Sequence, residues 1–221
     1  MPTDLDNVRV TGSRTPGQPF TVLLVCTGNI CRSALAQELG RAYLDQVLGE
    51  DAGLVRIVSA GTQAVVGSAM HPLSALVLRG YGVEAGDFRA QQLRDTHVTA
   101  ADLALTMTRR HRRDVLHLAP RHLARTFTLR EAAALLDVVG DDVPTIHGGF
   151  GDRARALVQA MADARSRRMN VGDDDVPDPI SRPAEAHEEA GELIVGALLP
   201  ILARLAALRD DAVAPPELHA P

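Results

Sequence analysis

One short segment constrains the fold of this chain more than any other. Phe20–Val25 is a continuous run of apolar and β-branched residues, which is typical of a strand buried in a parallel sheet. A glycine-containing loop follows, and over Arg32–Leu48 apolar residues recur at helical spacing. A strand, a loop and a helix in this order predict the first half of a β–α–β unit.

The same alternation continues along the chain. Further strands are predicted over Leu54–Ser59, Asp102–Met107 and Arg125–Leu129. Further helices are predicted over Pro72–Arg79, Arg109–His117, Arg130–Val138, Gly148–Arg168 and Ala184–Leu208. We therefore expect an α/β fold with a small, mostly parallel four-stranded sheet flanked by helices on both faces. Pro200 is expected to bend or divide the last helix.

The pattern indicates a single domain over residues 20–208. Residues 1–19 and 209–221 are rich in proline and polar residues and are expected to be flexible. The segment 140–170 adds an extra helix before the C-terminal helix, and we interpret it as an insertion packed on the same domain.

Composition excludes several functional classes. The net charge of −5 disfavours nucleic-acid binding. The basic run Arg109–Arg113 is interpreted as a solvated helix face, and the alternative is a positive patch that attracts anionic substrates. No apolar segment reaches the ~18 residues that a membrane span needs. The chain contains no lysine, which excludes a Walker-type phosphate loop. Its two cysteines fit a reducing compartment, so a cytoplasmic location is expected.

The loop between the first strand and helix carries the chemistry. Cys26 begins it and Arg32 ends it, with five residues between them. Backbone N–H groups converge at such a helix N-terminus and bind an oxyanion, while the guanidinium grips two of its oxygens. The same surroundings favour a thiolate, so Cys26 is the predicted nucleophile. The predicted phosphate cradle also includes Thr27, Gly28, Asn29, Ile30, Cys31 and Ser33.

Two loop residues have further predicted roles. Asn29 tolerates a left-handed backbone and can hydrogen-bond across the loop. Ser33 can donate its hydroxyl to the sulfur of Cys26 and so stabilise the sulfur as a leaving group. His111, His117 and His122 form no metal-ligand pattern, and neither a metal nor a cofactor is expected.

The octapeptide Cys-Thr-Gly-Asn-Ile-Cys-Arg-Ser is similar to the signature loop of the low-molecular-weight protein-tyrosine phosphatases. Ser59–Thr62, Thr106–Thr108 followed by His111, and Asp178-Pro179 extend the resemblance along the chain. The resemblance implies a phosphomonoester hydrolase that forms a phosphocysteine intermediate, with Asp178 as general acid. The implied partner is a phosphorylated protein or a small phosphomonoester. It also implies a reversible disulfide between Cys31 and Cys26, although a buried structural role for Cys31 is equally open.

The substrate and two other functions remain open at this point. In the family's tyrosine phosphatases tyrosines follow the Asp-Pro pair and wall the pocket, whereas here Ile180 and Ser181 follow. Ile30 stands where members acting on phosphoarginine resemble one another in carrying threonine, which favours ester substrates. One alternative is an arsenate reductase that depends on an external thiol. The other is a non-catalytic phosphate-binding regulatory module.

Overall fold

A computed structural model describes residues 18–140, 146, 148–169 and 172–209. Four strands form one sheet in the order β2-β1-β3-β4, and every neighbouring pair is parallel. The strands are β1 (Phe20–Cys26), β2 (Val55–Gly61), β3 (Leu103–Thr106) and β4 (Thr126–Thr128). The predicted fold class is confirmed. The predicted flexible ends, 1–19 and 209–221, lie almost entirely outside the described residues, as does part of the predicted insertion.

Seven α-helices surround the sheet in the described part of the chain. They are α1 (Arg32–Leu48), α2 (Pro72–Gly80), α3 (Asp95–Ala100), α4 (Arg109–Leu118), α5 (Leu129–Val139), α6 (Phe150–Asp163) and α7 (Ala184–Ala206). Short 3-10 segments cover Gly49–Leu54, Pro120–Arg125 and Ala164–Arg167. The sequence analysis did not predict α3, because its six residues are too few to show an apolar period.

Alternate residues of β1 face two separate apolar layers. Val22 and Leu24 pack into the larger cluster, which includes buried residues of α1, α5, α6 and α7. Leu23 and Val25 pack into a smaller cluster with buried residues of α3 and α4. A strand buried on both faces explains the uninterrupted apolar run in the sequence.

The predicted division of the last helix at Pro200 is wrong, since α7 is continuous through this residue. Proline lacks the N–H that would bond the carbonyl four residues earlier, which belongs to Gly196. Both residues are exposed, so solvent can satisfy that carbonyl. No helix among the described residues combines the length and apolarity needed to cross a bilayer.

The strand order determines where a ligand can bind. From β1 the chain turns first to β2 on one side and later to β3 on the other, so the switch point lies between β1 and β3. Ligands of such sheets bind beyond the carboxyl ends of the strands at this point, which is where Cys26 ends β1. Asp102 lies at the opposite end, where it accepts a hydrogen bond from Thr21 N at 2.9 Å.

Candidate active site

The loop after β1 is held from outside through its carbonyl groups. The carbonyls of Cys26, Thr27, Gly28 and Ile30 accept hydrogen bonds of 2.7–3.0 Å from backbone N–H groups of the segment 62–71. With its carbonyls held outward, the loop can turn its own N–H groups inward, toward the start of α1. This orientation suits the binding of a tetrahedral anion.

Gly61 permits the close approach of this outer segment. A Cβ atom at this position would overlap the carbonyl oxygen of Thr27. No larger residue fits there unless the catalytic loop moves. The Ser-Ala-Gly-Thr motif, which the sequence analysis noted only as a resemblance, therefore has a steric cause.

Asn29 fixes the shape of the loop, as predicted. Its backbone has a φ of 54°, in the left-handed region, and its side chain is fully buried. Nδ2 donates to Ser33 Oγ at 2.9 Å and to Ser59 Oγ at 2.8 Å, while Oδ1 accepts from Gln91 N at 2.8 Å. Both polar atoms of this buried amide therefore have hydrogen-bond partners, and these bonds hold the loop in its conformation.

This network favours one direction for the hydrogen bond to Cys26. The Sγ atom of Cys26 lies 2.9 Å from Ser33 Oγ, and both residues are buried. Ser33 Oγ already accepts a hydrogen from Asn29, so its own hydrogen is available to the sulfur. The geometry agrees with the predicted donation from Ser33 to a thiolate.

Arg32 and Asp178 meet beside Cys26. Arg32 is the first residue of α1 and is 3% exposed, whereas the side chain of Asp178 is 41% exposed. One terminal nitrogen of Arg32 lies 2.5 Å from Asp178 Oδ2, and the other donates to Val176 O at 2.9 Å. Its buried Nε has no hydrogen-bond partner among the described residues. A phosphoryl group on the loop would compete with Asp178 for the same guanidinium.

These groups line one cavity of about 210 Å³. Cys26, Arg32 and Asp178 line it together. The remaining lining residues are Thr27, Gly28, Ile30, Cys31, Gln63, Val65 and Ile180. None of them is aromatic, so the walls are mainly aliphatic.

The acidic segment before Asp178 is an anchored loop rather than a solvated one. Asp174 is 5% exposed and accepts hydrogen bonds from Arg168, at 2.5 and 3.0 Å, and from Arg109 at 3.0 Å. Burial raises the pKa of Asp174, but the hydrogen bonds and charges of these arginines outweigh it and lower the pKa overall. Asp175 accepts from Arg109 N at 2.7 Å, which ties the segment to the first turn of α4. Of the four clustered aspartates, only Asp178 lines the cavity.

A buried histidine supports the loop from the other side. His111 is 4% exposed, and Nε2 lies 2.9 Å from Thr27 Oγ1 while Nδ1 lies 2.9 Å from Thr108 Oγ1. Burial, followed by the charge of Arg32, lowers the pKa of His111 to about 4. A neutral imidazole therefore links α4 to the catalytic loop at neutral pH. The sequence analysis included His111 in the family resemblance but did not predict this contact.

Cys31 lies at the end of the loop and is 4% exposed. Burial raises the pKa of its thiol to about 11, although a hydrogen bond with Ser74 opposes part of this rise. Both cysteines are free thiols. The two interpretations of Cys31, structural residue and disulfide partner, both remain predictions.

The structure brings all nine predicted site residues to one place, because they lie on the loop, on the first turn of α1 or on the cavity wall. It adds partners that sequence spacing did not indicate: Gln37, Ser59, Gly61, Gln91, His111 and Asp174. All of them except Gln91 are buried polar or glycine residues, and a sequence alone does not reveal that burial.

Comparison with known proteins assigns the family. A family described as "Low molecular weight phosphotyrosine protein phosphatase" matches residues 21–140 of the chain. The chain belongs to this family. A low molecular weight protein-tyrosine-phosphatase of Streptomyces coelicolor is 32% identical over 190 residues, which cover 83% of this chain and 92% of the relative.

Two further proteins similar to this chain carry names that give different substrates. A protein-arginine-phosphatase of Geobacillus stearothermophilus is 34% identical over 150 residues, covering 66% of this chain and 95% of the relative. The crystal structure of a low molecular weight protein tyrosine phosphatase from T. tengcongensis superposes with a TM-score of 0.58 at 27% identity, covering 84% and 98% of the two chains. The family and these relatives favour a phosphatase over the arsenate-reductase alternative.

Proposed function

We propose that this chain is a protein-tyrosine phosphatase in which Cys26 is the nucleophile, Arg32 binds the phosphoryl group and Asp178 is the general acid. One observation carries the proposal: these three side chains line a single cavity beneath a loop whose carbonyls are held outward. The family membership supports the reaction class. The assignment of roles to these residues rests on the geometry of the site.

In the first step the thiolate of Cys26 attacks phosphorus. A P–S bond forms as the P–O bond to the leaving group breaks, and the leaving oxygen takes the proton of the Asp178 carboxyl. The equatorial oxygens of the transferring group lie against the loop N–H groups and the guanidinium of Arg32. These donors are fixed before substrate arrives, so they stabilise the transition-state charge without reorganisation.

In the second step water hydrolyses the phosphocysteine. Asp178, now a carboxylate, takes a proton from the attacking water, and the P–S bond breaks as the P–O bond forms. The electron pair returns to the sulfur of Cys26. Ser33 donates its hydrogen bond to this sulfur and stabilises it as it leaves.

The cavity walls favour an aromatic phosphate ester over phosphoarginine. Ile30, Val65 and Ile180 surround the entrance with aliphatic side chains, and Val65 and Ile180 are 48% and 41% exposed. Binding of a phenyl ring against these side chains is favourable, because it removes apolar surface from water. A substrate guanidinium would lose water against these three side chains, and only Asp178 and Gln63 among the residues that line the cavity offer it an acceptor side chain that is not part of the phosphate loop. A phosphorylated protein in a reducing compartment, such as the cytoplasm, is the partner that fits a free catalytic thiol.

The test measures the hydrolysis of three substrates by the native chain and by two variants of the proposed catalytic residues. p-Nitrophenyl phosphate, phenyl phosphate and a phosphoarginine peptide are hydrolysed by the native chain, by Cys26→Ser and by Asp178→Asn. Cys26→Ser should abolish turnover. Asp178→Asn should lower kcat for phenyl phosphate by about 10²- to 10⁴-fold, and much less for p-nitrophenyl phosphate, because its leaving group needs little protonation.

Asp173→Asn is the matched control, because Asp173 lies in the same acidic segment but is exposed and does not line the cavity. It should behave as the native chain does. Equal losses for both aryl substrates in Asp178→Asn would show that Asp178 is not the acid. Faster turnover of the phosphoarginine peptide than of phenyl phosphate would overturn the substrate assignment.

A further inference from the structure

The catalytic loop contributes one residue to a second cluster of potential ligands. Among the described residues, one ligand atom each of Cys31, His71 and His187 lie within 4.8 Å of one another. Cys31 ends the catalytic loop, His71 precedes α2, and His187 lies in the first turn of α7. A thiol and two imidazoles are a donor set that binds zinc and related transition metals.

His187 holds a ring nitrogen whose hydrogen-bonding capacity is unused. The residue is 1% exposed, and its Nδ1 lies 2.9 Å from Ser74 Oγ. Its Nε2 is buried and forms no hydrogen bond within geometric limits among the described residues. The backbone of Pro179 lies near the ring but outside hydrogen-bonding limits for Nε2. A buried polar atom in this state points to a ligand, since most such atoms are satisfied.

Ser74 orients two of the three donors. It is 3% exposed, and its hydroxyl interacts with both Cys31 and His187. When it accepts from Nδ1–H of His187 and donates to the sulfur of Cys31, the lone pair of Nε2 and the sulfur are both left for an ion. Hydrogen bonds of this kind commonly fix the tautomer of a metal-binding histidine.

His71 must turn to complete the site. Its ring stacks on that of His187 with centroids 4.8 Å apart and 15° between the planes, and two nearly parallel rings cannot both direct a nitrogen at one ion. His71 is only partly buried, and its Nδ1 accepts a long bond of 3.3 Å from Leu73 N. Rotation of this side chain therefore breaks little.

We propose that Cys31, His71 and His187 form a binding site for a zinc-class transition-metal ion, and that occupancy of this site inhibits the phosphatase. Binding forms a metal–sulfur bond and releases the thiol proton to water. Three protein ligands leave a fourth position for water. A dication at Cys31 lies in the loop that cradles phosphate and beside the cavity that holds Asp178, so it competes with Arg32 for that carboxylate.

The direct test uses cobalt in a Cys26→Ser background, where Cys31 is the only thiol. Co²⁺ should give a thiolate-to-cobalt charge-transfer band in the near ultraviolet, and Mg²⁺ should not displace it, because Mg²⁺ prefers oxygen ligands. Adding His187→Gln should weaken Co²⁺ binding at least about tenfold. Adding His117→Gln, which changes an exposed histidine of α4, should leave binding unchanged. Should the buried His187 variant fail to fold, His71→Gln replaces it with the same expectation.

The inhibition part rests on the proposed function and is measured separately. In the native chain Zn²⁺ should inhibit aryl phosphate hydrolysis reversibly, and a chelator should restore it. The half-inhibiting concentration should rise at least about tenfold in His187→Gln and stay unchanged in His117→Gln. Absence of the sulfur band in the Cys26→Ser chain, or equal Co²⁺ affinity with and without His187, would overturn the site. A chain without phosphatase activity would refute the proposed function but leave the cobalt result to decide the site.

Discussion

The hydrogen bond from Ser33 to Cys26 should govern the second half of the reaction. Ser33→Ala removes a hydroxyl that lies 2.9 Å from the sulfur and is fully buried. A hydrogen bond to a charged group contributes about 1.5–3 kcal/mol. Because negative charge returns to the sulfur as phosphocysteine is hydrolysed, that loss corresponds to a decrease in the rate of this step of about 10- to 150-fold.

A matched control separates the sulfur contact from the rest of the network. Asn29 Nδ2 donates to both Ser33 Oγ and Ser59 Oγ, at 2.9 and 2.8 Å. Ser59→Ala removes one of these acceptors, together with a hydrogen bond to Gln37, but the Ser59 side chain forms no hydrogen bond with Cys26 in the described part of the chain. Any general loosening of the loop should therefore affect both variants, whereas loss of the sulfur contact affects Ser33→Ala alone.

The assay is rapid-mixing hydrolysis of p-nitrophenyl phosphate. We expect Ser33→Ala to release a full burst of nitrophenol, corresponding to phosphocysteine formation, and then to turn over slowly. Ser59→Ala should show a steady-state rate within a few-fold of the native chain. If Ser33→Ala lost no more activity than Ser59→Ala, or lost its burst instead of its steady-state rate, the assigned direction of the hydrogen bond would be incorrect.

Three further predictions address the surroundings of the loop. Gly61→Ala places a Cβ against the Thr27 carbonyl and should lower kcat/KM for aryl phosphates and weaken vanadate binding together; an unchanged vanadate affinity would contradict this steric argument. The lowered pKa of His111, about 4, means that the unfolded chain binds more protons than the folded chain between about pH 6.5 and 4. The free energy of unfolding should therefore decrease as the pH is lowered through that window, by up to about 1.4 kcal/mol per pH unit. Urea titrations of His111→Gln should show a weaker dependence of this free energy on pH than those of the native chain. Asp174→Asn weakens the hydrogen bonds from Arg168 and Arg109 that hold the loop before Asp178, and it should lower kcat for phenyl phosphate several-fold. The rate at which iodoacetate alkylates Cys26 should stay unchanged.

The local part of the site was predictable from the sequence because its determinants are local. The apolar run of β1 and the helical period that follows predicted α1 with the same bounds, Arg32–Leu48, that the structure has. The loop between them therefore had to lie at a helix N-terminus. Its side chains needed no long-range information to converge on an anion.

The rest depended on contacts between distant segments. Gln91 forms a hydrogen bond with Asn29, 62 positions away in the sequence, and Arg109 forms one with Asp174, 65 positions away. The run around Asp174 has the composition of a solvated loop, yet its central carboxylate is almost fully buried between two arginines. Polar residues give no periodic signal when they are buried by ion pairs rather than by apolar packing.

The site divides into a fixed part and a separable part. Backbone bonds to segment 62–71 and the side chain of Asn29 hold the phosphate loop, so the free-energy cost of ordering the anion-binding groups is met when the chain folds. Asp178 differs. Its loop is anchored up to Val176, whose N–H donates to Met107 O at 2.8 Å, but among the described residues its own carboxylate contacts only Arg32 and the N–H of Ile180. Leaving groups that need no proton should therefore respond to changes in the loop alone, and those that need one should respond to both parts. The dependence of each variant's rate on leaving-group acidity separates the two contributions.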